Sequence, residues 1–437
     1  FTDIAAATMG HKRGGAAKIS VVASGLFGSI SGSAISNVTT TGVITIPLMK
    51  KSGYSAADAG AIEANASTGG QFMPPIMGAA AFLMAEFLEI PYSDVVIAAI
   101  IPAMLYYFAI FIQVDLVAAR DKISVVTDDL PRASAVLRDG WHFIVPFALL
   151  VYALYALNEE AENAAIYAVA TIIVLGSLRS YKGQRMTLRS LASAVWDAGL
   201  ATTELVLIVA AAGIVIGILN KTGGGFALTL FLVQLGGGNL FLLLLIGGLI
   251  CIVLGMGMPT TGVYVLLAAL VAPALVEAGV AKLSAHMFIL YFGMMSMITP
   301  PIALAAFAAA SLSGADPMRT GFVAMRMGWV AYVIPFLFVL SPSLLMQGDL
   351  WKVALNVATA TMGVYIASVA MTGYFTRPLS TPMRVLLGGA GFAALFPDTA
   401  VGAGGLIDLA GIVVGVGILA RERLMARNTK DQPAAIS

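Results

Sequence analysis

Charged residues are scarce in this chain. Asp, Glu, Lys and Arg together make up 11% of its 437 residues, whereas a soluble domain carries about 25%. The formal net charge is only +1, which gives no electrostatic reason to expect nucleic acid as a partner. Hydrophobic residues make up 59% of the chain. The composition therefore predicts an all-α polytopic membrane protein that is embedded in a lipid bilayer and has little soluble matter.

Residues for redox, metal or covalent chemistry are also few. Cys251 is the single cysteine, so no internal disulfide can form. The histidines His11, His142 and His286 stand far apart and give no metal-ligand spacing. The sequence contains no nucleophile elbow, phosphate-binding loop or His-Glu-x-x-His motif. These absences argue against an enzyme, and they leave an ion gradient or another chain as the energy source for transport.

Two separated stretches carry the same short phrase. Pro74–Phe82 reads PPIMGAAAF and Pro300–Phe307 reads PPIALAAF. Each follows an apolar, hairpin-like stretch that contains Thr-Thr-Gly-Val, at Thr40–Val43 and at Thr260–Val263. A Pro-Pro pair removes two N–H donors and breaks a helix, and the freed backbone groups need a partner other than lipid. The duplication predicts two units, each a re-entrant hairpin followed by a broken helix.

Small and hydroxyl-bearing residues surround both predicted breaks. Carbonyl groups released at a break are hard oxygen donors that suit a small cation, and free N–H groups at the start of a half-helix suit a carboxylate. Two such units facing each other would form a site for an organic anion and cations near the bilayer midplane. The alternative is that these clusters are only packing contacts, and their duplication favours the transport site.

The phrases around these breaks resemble a known family, the large membrane subunit of tripartite ATP-independent periplasmic (TRAP) transporters. The resemblance rests on Ile30–Ala34, on the Gly53-Tyr54 turn, on Ser67–Gly70 before the first proline pair, and on Leu254–Pro259. The sequence of Gly69–Phe82 resembles that of one branch of the family, in which the small and large subunits are fused and work with TAXI-type binding proteins.

The resemblance implies a fold and a function. The fold would contain inverted repeats with two re-entrant hairpins and two broken helices, arranged as an elevator-type transport domain within a scaffold. The function would be secondary active import of organic acid anions across the bacterial inner membrane, driven by sodium ions and supplied by a periplasmic TAXI-type binding protein. Helices of the small subunit would precede residue 1.

The same resemblance divides the chain into four predicted parts. Residues 1–118 would form the first inverted repeat and 119–225 a linker with scaffold helices. Residues 226–345 would form the second inverted repeat, and 346–437 extra C-terminal helices with a cytoplasmic tail.

Site residues are carried over from the two motifs. The resemblance places one cation between the first hairpin tip and the first break, and another between the second tip and the second break. The expected solute contacts are Ser33, Ser36, Asn37, Thr260 and Thr261. The expected cation ligands are Ser31, Ser33, Gly70, Met73, Pro75, Gly257, Thr261, Ser296, Ile298 and Pro300.

One further acidic residue has two open interpretations. Glu63 lies in a helix that should be mostly buried, and acids within the membrane are functional candidates by default. It is either a proton or cation group, or a solvated residue near the membrane surface, one turn past Asp58. For the whole chain, a binding-protein-independent sodium/dicarboxylate carrier of the same superfamily is the alternative function, with a channel or an intramembrane enzyme less favoured.

Overall fold

The computed structural model describes residues 1–125, 130–157, 159–181, 183–396 and 404–430. Within these ranges the chain is helical and contains no β-strand, which confirms the predicted all-α class. The last residues of the predicted tail, 431–437, lie outside the described residues.

The helices fall into four consecutive groups. The first group is α1 (Thr2–Met9), α2 (Gly15–Ser31), α3 (Ala34–Ser52), α4 (Ala56–Gly70), α5 (Ala79–Leu88) and α6 (Tyr92–Arg120). The second is α7 (Ala133–Gly140), α8 (Ile144–Tyr155), α9 (Ala161–Leu178), α10 (Leu188–Thr222) and α11 (Gly224–Gly236). The third is α12 (Leu240–Gly255), α13 (Thr260–Leu270), α14 (Ala272–Glu277), α15 (Lys282–Met295), α16 (Leu304–Ser313), α17 (Pro317–Met327) and α18 (Val330–Leu340). The fourth is α19 (Leu350–Thr372), α20 (Thr381–Ala394) and α21 (Gly404–Lys430).

Six helical segments in the described part of the chain are long and apolar enough to cross a membrane. They are Tyr92–Arg120, Ala133–Tyr155, Ala161–Leu178, Leu188–Leu219, Pro317–Leu340 and Leu350–Thr372. A membrane-spanning helix needs about 20 apolar residues, so these segments agree with the multi-pass prediction. The shorter apolar helices include α2, α5, α12, α13 and α16, which lie beside hairpin tips or breaks.

Two stretches of the chain have the same order of elements. The first unit (residues 15–120) and the second unit (residues 240–340) each run helix, tight tip, helix, turn, helix, break, helix and long outer segment. Residue n of the first unit matches residue n + 226 of the second, because 273 − 47, 279 − 53 and 300 − 74 all equal 226. These differences pair a helical proline, a left-handed glycine and a Pro-Pro bond that is cis in both units.

This register corrects the sequence interpretation of the Thr-Thr-Gly-Val phrase. Thr260–Val263 opens α13 at the second hairpin tip, whereas Thr40–Val43 lies in the middle of α3. The residue that matches Thr260 is Ala34, the first residue of α3. The two Thr-Thr-Gly-Val segments are therefore not structurally equivalent, whereas the two proline pairs are structurally equivalent.

The two units pack into each other reciprocally. The half-helix α5 of the first unit contacts α13 and α15 of the second, while the matching half-helix α16 contacts α3 and α4 of the first. Such an exchange is what a two-fold relation between the units produces. The inversion of the repeats, the elevator motion and the four part boundaries stay predictions.

Burial separates these units from the rest of the fold. Every residue of α4 after Asp58 is buried, whereas the apolar windows of α9 and α10 are 6% and 0% buried inside the chain. Helices α19, α20 and α21 pack on one another, and α19 also packs on α6. The buried core therefore surrounds the two breaks, and the middle helices present apolar surfaces such as a bilayer or another subunit would cover.

Candidate functional site

The first hairpin tip is a turn of two residues. Helix α2 ends at Ser31, and Gly32 adopts φ 62°, a left-handed conformation that costs glycine little. Ser33 caps α3, because its hydroxyl accepts a hydrogen bond from the backbone N–H of Ser36 at 3.3 Å. The tip therefore directs the start of α3 towards the residues that follow α4.

The first break, residues 71–78, lies directly against this tip. A Cβ atom added to Gly70 would lie 2.5 Å from the Cα of Gly28, and one added to Gly32 would lie 2.7 Å from the Cα of Gly78. Real side chains cannot occupy such positions, so backbone packs on backbone at two points. The structure thus brings together the two segments predicted to hold the first cation.

Buried polar atoms without a protein partner surround this contact. In the described residues, the hydroxyls of Ser31 and Thr68 and the side-chain nitrogen of Gln71 are buried and form no hydrogen bond. Thr68 and Gln71 have no exposed surface. An unsatisfied buried polar group costs roughly 1–3 kcal/mol, so these three atoms mark a place that favours a polar or ionic ligand.

The second hairpin tip and second break repeat the arrangement with different side chains. Gly257 in the tip is exposed with φ 81°. Ser296, the first residue of the second break, is buried and donates to the carbonyl of Gly293 at 2.6 Å. A Cβ atom added to Gly255 would lie 2.8 Å from the hydroxyl oxygen of Ser296. The segments predicted to hold the second cation are therefore also adjacent.

The two units meet at a polar contact. The hydroxyl of Thr260, at the start of α13, donates to the side-chain oxygen of Gln71 in the first break. Next to it, the ring of Phe72 stacks on that of Tyr291 with 4.3 Å between centroids. The start of α13 in the second unit thus contacts the break of the first unit. This contact, the junction, joins the two units at the predicted site.

The remaining predicted solute contacts occupy different surroundings. Ser36 is exposed near the first tip, and Thr261 is half-buried near the second. Asn37 is fully buried beneath the tip, where its amide nitrogen donates to the carbonyl of Ser24 at 2.7 Å and its amide oxygen lies 3.1 Å from the hydroxyl of Thr41. The side chain of Asn37 therefore links α2 to α3 and stabilises the hairpin tip.

The remaining predicted cation ligands lie along the breaks. Met73, Pro75 and Pro300 are half-buried, and Ile298 is fully buried. The hydroxyl of Tyr92 donates to the carbonyl of Ile76 and lies 3.2 Å from the carbonyl of Pro75. The Pro75 carbonyl therefore keeps a lone pair for a further partner.

Glu63 is not a solvated surface residue, so that interpretation is wrong. It has no exposed surface and lies in α4 between α2 and α3. Five hydroxyls donate to its carboxylate, and we call them the hydroxyl cluster. Oε1 accepts from Ser24, Thr41 and Ser67 at 2.7, 2.6 and 3.1 Å, and Oε2 accepts from Ser20 and Thr45 at 2.6 and 2.5 Å.

Sequence reasoning missed the hydroxyl cluster, although a signal was present. Two pairs, Ser20 with Ser24 and Thr41 with Thr45, are each four residues apart and therefore share one helix face. Glu63 and Ser67 have the same spacing on a third helix. Only the packing of α2, α3 and α4 shows that the three faces meet.

Comparison with known proteins agrees with this architecture. The family described as "Tripartite ATP-independent periplasmic transporter, DctM component" matches residues 1–353. This match covers both units, both breaks and the middle helices.

Individual relatives have low sequence identity to this chain, but the alignments cover most of both chains. The chain is 25% identical over 345 residues to a C4-dicarboxylate TRAP transporter large permease of Pseudomonas aeruginosa, covering 78% of each chain. It is 26% identical over 362 residues to the corresponding permease of Vibrio cholerae, covering 77% of each. It is also similar to a 2,3-diketo-L-gulonate TRAP transporter large permease of Escherichia coli, with 25% identity over 323 residues and coverage of 69% of this chain and 70% of that one.

The family match, the apolar helices and the paired broken units lead to one conclusion. The chain belongs to the family of TRAP transporter large membrane subunits, which makes it a multi-pass protein of the bacterial inner membrane and part of a secondary transporter that works with a small membrane subunit and a periplasmic binding protein, not an enzyme.

Proposed function

We propose that the chain is the permease subunit of a sodium-driven importer of organic acid anions. It receives its solute from a TAXI-type periplasmic binding protein and carries it by an elevator motion of the two hairpin units. The observation that carries the proposal is the junction of Gln71 with Thr260, where one break meets the opposite hairpin beside unpartnered buried polar atoms.

The chemistry of the junction fits a small hard cation. Hydroxyl and carbonyl oxygens are the ligands that such cations take. Ser31 supplies a hydroxyl at the first tip, Ser296 supplies one at the second break, and both breaks supply carbonyls next to the proline pairs. In the described part of the chain, no group of three or more His, Cys, Asp or Glu side chains is placed to hold a metal ion. The expected ion is therefore one that binds neutral oxygen ligands, which favours sodium over zinc or calcium.

An organic anion fits the hairpin starts. Helices α3 and α13 begin at Ala34 and Thr260, next to the two breaks, and the first N–H groups of a helix attract a carboxylate. The relatives named above are permeases for C4-dicarboxylates and for 2,3-diketo-L-gulonate, which are organic acids. The proposal of a TAXI-type binding protein rests on the amino-acid sequence of Gly69–Phe82 alone.

Uptake by reconstituted protein tests the proposal. The chain, its small subunit and its binding protein would be placed in liposomes, and a panel of labelled organic acids would be offered under an imposed sodium gradient. Uptake that needs both sodium and the binding protein is the expected result. Sodium-driven uptake without any binding protein would favour a binding-protein-independent carrier, and uptake that ignores sodium would overturn the coupling.

A further inference from the structure

Glu63 is a buried carboxylate at the centre of the first unit, and the proposed sodium and solute sites do not use it. It is the eighth of the fifteen residues of α4, and all five hydroxyls of the hydroxyl cluster point at it. A buried ionised group is costly unless it is paired or fully hydrogen-bonded. The cluster satisfies the ionised form with donors from three helices.

Among the described residues, no cationic side chain pairs with Glu63. The ionisable residues on α4 and on the helices packed against it are Lys18, Lys50, Lys51, Asp58, Tyr92, Asp94, Tyr106, Tyr107, Asp115, Arg120, Arg319 and Arg326. None of them forms a hydrogen bond or an ion pair with Glu63 in the described part of the chain. The nearest basic residue on α2, Lys18, pairs instead with Asp115 at 2.6 Å.

The hydroxyl cluster can also satisfy the protonated form. The hydroxyl of Thr41 lies 2.9 Å from the carbonyl of Asn37, and that of Thr45 lies 3.1 Å from the carbonyl of Thr41. The hydroxyl of Ser24 lies 2.9 Å from that of Thr41. Each of these hydroxyls can turn to its second acceptor and accept a bond from a carboxylic acid O–H, because a hydroxyl both donates and accepts. Proton binding therefore needs no movement of heavy atoms.

The second unit shows that the fold does not need this cluster. At the positions 226 residues later, the six side chains are all aliphatic or glycine. They are Ile246, Ile250, Leu267, Val271, Ile289 and Gly293 in place of Ser20, Ser24, Thr41, Thr45, Glu63 and Ser67. At these six positions the matching helices of the second unit pack without any polar side chain, so the carboxylate and its donors serve a purpose other than packing.

The spacing favours a proton over a metal cation at this place. Oxygen–oxygen distances of 2.5 to 2.7 Å in four of the five contacts are those of hydrogen bonds. A cation would have to separate these oxygens, and the surroundings are tight, since a Cβ atom added to Gly42 would lie 3.2 Å from Cγ of Glu63. A proton requires no such space.

We propose that Glu63 takes up and releases a proton during the transport cycle, so that solute import is coupled to a proton as well as to sodium. The carboxylate gains the proton on the outer side to become the neutral acid and loses it on the inner side. Asn37 links the cluster to the hairpin tip through Thr41 and Ser24, which connects the proton to the neighbouring solute site. The inference rests on the proposed function and adds a second coupling ion to it.

The test measures uptake in liposomes with an imposed proton gradient and equal sodium on both sides. Wild-type protein should respond to the proton gradient, and Glu63→Gln, which mimics the neutral acid, should lose about tenfold or more of this response. Exchange of labelled for unlabelled solute without gradients should remain measurable in Glu63→Gln, because it moves no net proton. Asp58→Asn, which changes a partly exposed carboxylate on the same helix, is the matched control and should keep the wild-type proton response.

The outcomes separate the inference from the proposed function. Sodium-driven uptake with no proton response in the wild type overturns the inference alone, and so does an unaltered proton response in Glu63→Gln. A proton response without a sodium response overturns sodium coupling and leaves the inference standing. Absence of both responses overturns both.

A second variant covers the case in which Glu63→Gln does not fold. Thr45→Val removes one donor to Oε2 while keeping the shape of the side chain, so the response of uptake to the proton gradient should fall by roughly fivefold, whereas exchange without gradients should be retained. A wild-type proton response in Thr45→Val would count against the proposal.

Discussion

The two units share one framework but differ in what fills it. The first unit buries Glu63 among hydroxyls, whereas the second packs Ile289 among aliphatic side chains at the matching place. The first unit also packs Gly28 on Gly70, where the second has Leu254 and Ser296. Both units contain a proline break, so the break belongs to the fold that the two units share. Only the first unit has a buried carboxylate among hydroxyls, so this feature is specific to that unit.

This difference separates two physical requirements. A break exposes backbone carbonyl and N–H groups whatever the side chains are, and both units therefore offer oxygen ligands. A buried acid requires its own donors, and only the first unit provides them. Substitutions at four places test this difference between the two units.

The largest effect is expected from moving the acid to the wrong unit. Ile289→Glu would bury a carboxyl group where the five matching positions carry only aliphatic side chains or glycine and offer no hydroxyl donor, and it should destabilise the fold by roughly 3 kcal/mol or more. Thermal unfolding of the purified protein measures this. The mirror change, Glu63→Ile, should cost less, because the freed hydroxyls can bond carbonyls of their own helices. Equal stability of Ile289→Glu and wild type would contradict the claimed difference.

The next effect concerns the backbone contact between the first tip and the first break. Gly70→Val would place a side chain where the backbone of Gly28 lies, at 2.5 Å from its Cα. We expect a loss of uptake on the order of 100-fold, as for other displacements of about 1 Å near a site. Gly213→Val is the control, since no atom of the described residues lies within 4 Å of a Cβ atom at Gly213. Uptake by Gly70→Val at the wild-type rate would show that the tip does not need to touch the break.

The framework was largely predictable from the sequence, and the interior was not. Two proline pairs in apolar surroundings predicted two breaks because proline acts locally, through its missing N–H and its ring. The Thr-Thr-Gly-Val segments suggested a wrong alignment of the two units, because the segment at Thr40 lies in the middle of α3 and the one at Thr260 lies at the start of α13. Local identity cannot give the register, which depends on where each helix begins.

Contacts across the fold were beyond sequence reasoning for a physical reason. The bond between Gln71 and Thr260 joins residues 189 positions apart, and the hydroxyl cluster draws on three helices whose facing sides are set only by packing. Spacing of four residues predicts which side chains share a face, but not which faces meet. The sequence alone therefore does not decide whether Glu63 is buried, because its burial depends on how α2, α3 and α4 pack.

A smaller effect is expected from the proline pairs, and it should be similar in both units. Pro75→Ala and Pro301→Ala each return an N–H donor that can bond a carbonyl now available at the break. We expect sodium-dependent uptake to fall about tenfold in each variant, with membrane insertion retained. Titration of uptake against sodium concentration measures this, and sodium dependence that is unchanged in both variants would remove the support for cation sites at the breaks. A fall in only one variant would show that the two breaks are not equivalent.

The smallest effect is expected at the junction between the units. Thr260→Val keeps the shape of the side chain and removes its bond to the oxygen of Gln71, which then lies buried with both polar atoms unpartnered. One such loss costs about 1 kcal/mol, which corresponds to an increase of about fivefold in the KM for solute. Thr202→Val is the control, because Thr202 is exposed and its hydroxyl donates to the carbonyl of Ala198 in its own helix. A KM that is equal in Thr260→Val and Thr202→Val would mean that the contact between the units is incidental to binding. A larger KM in Thr260→Val alone would show that the break of one unit and the hairpin of the other act as one site.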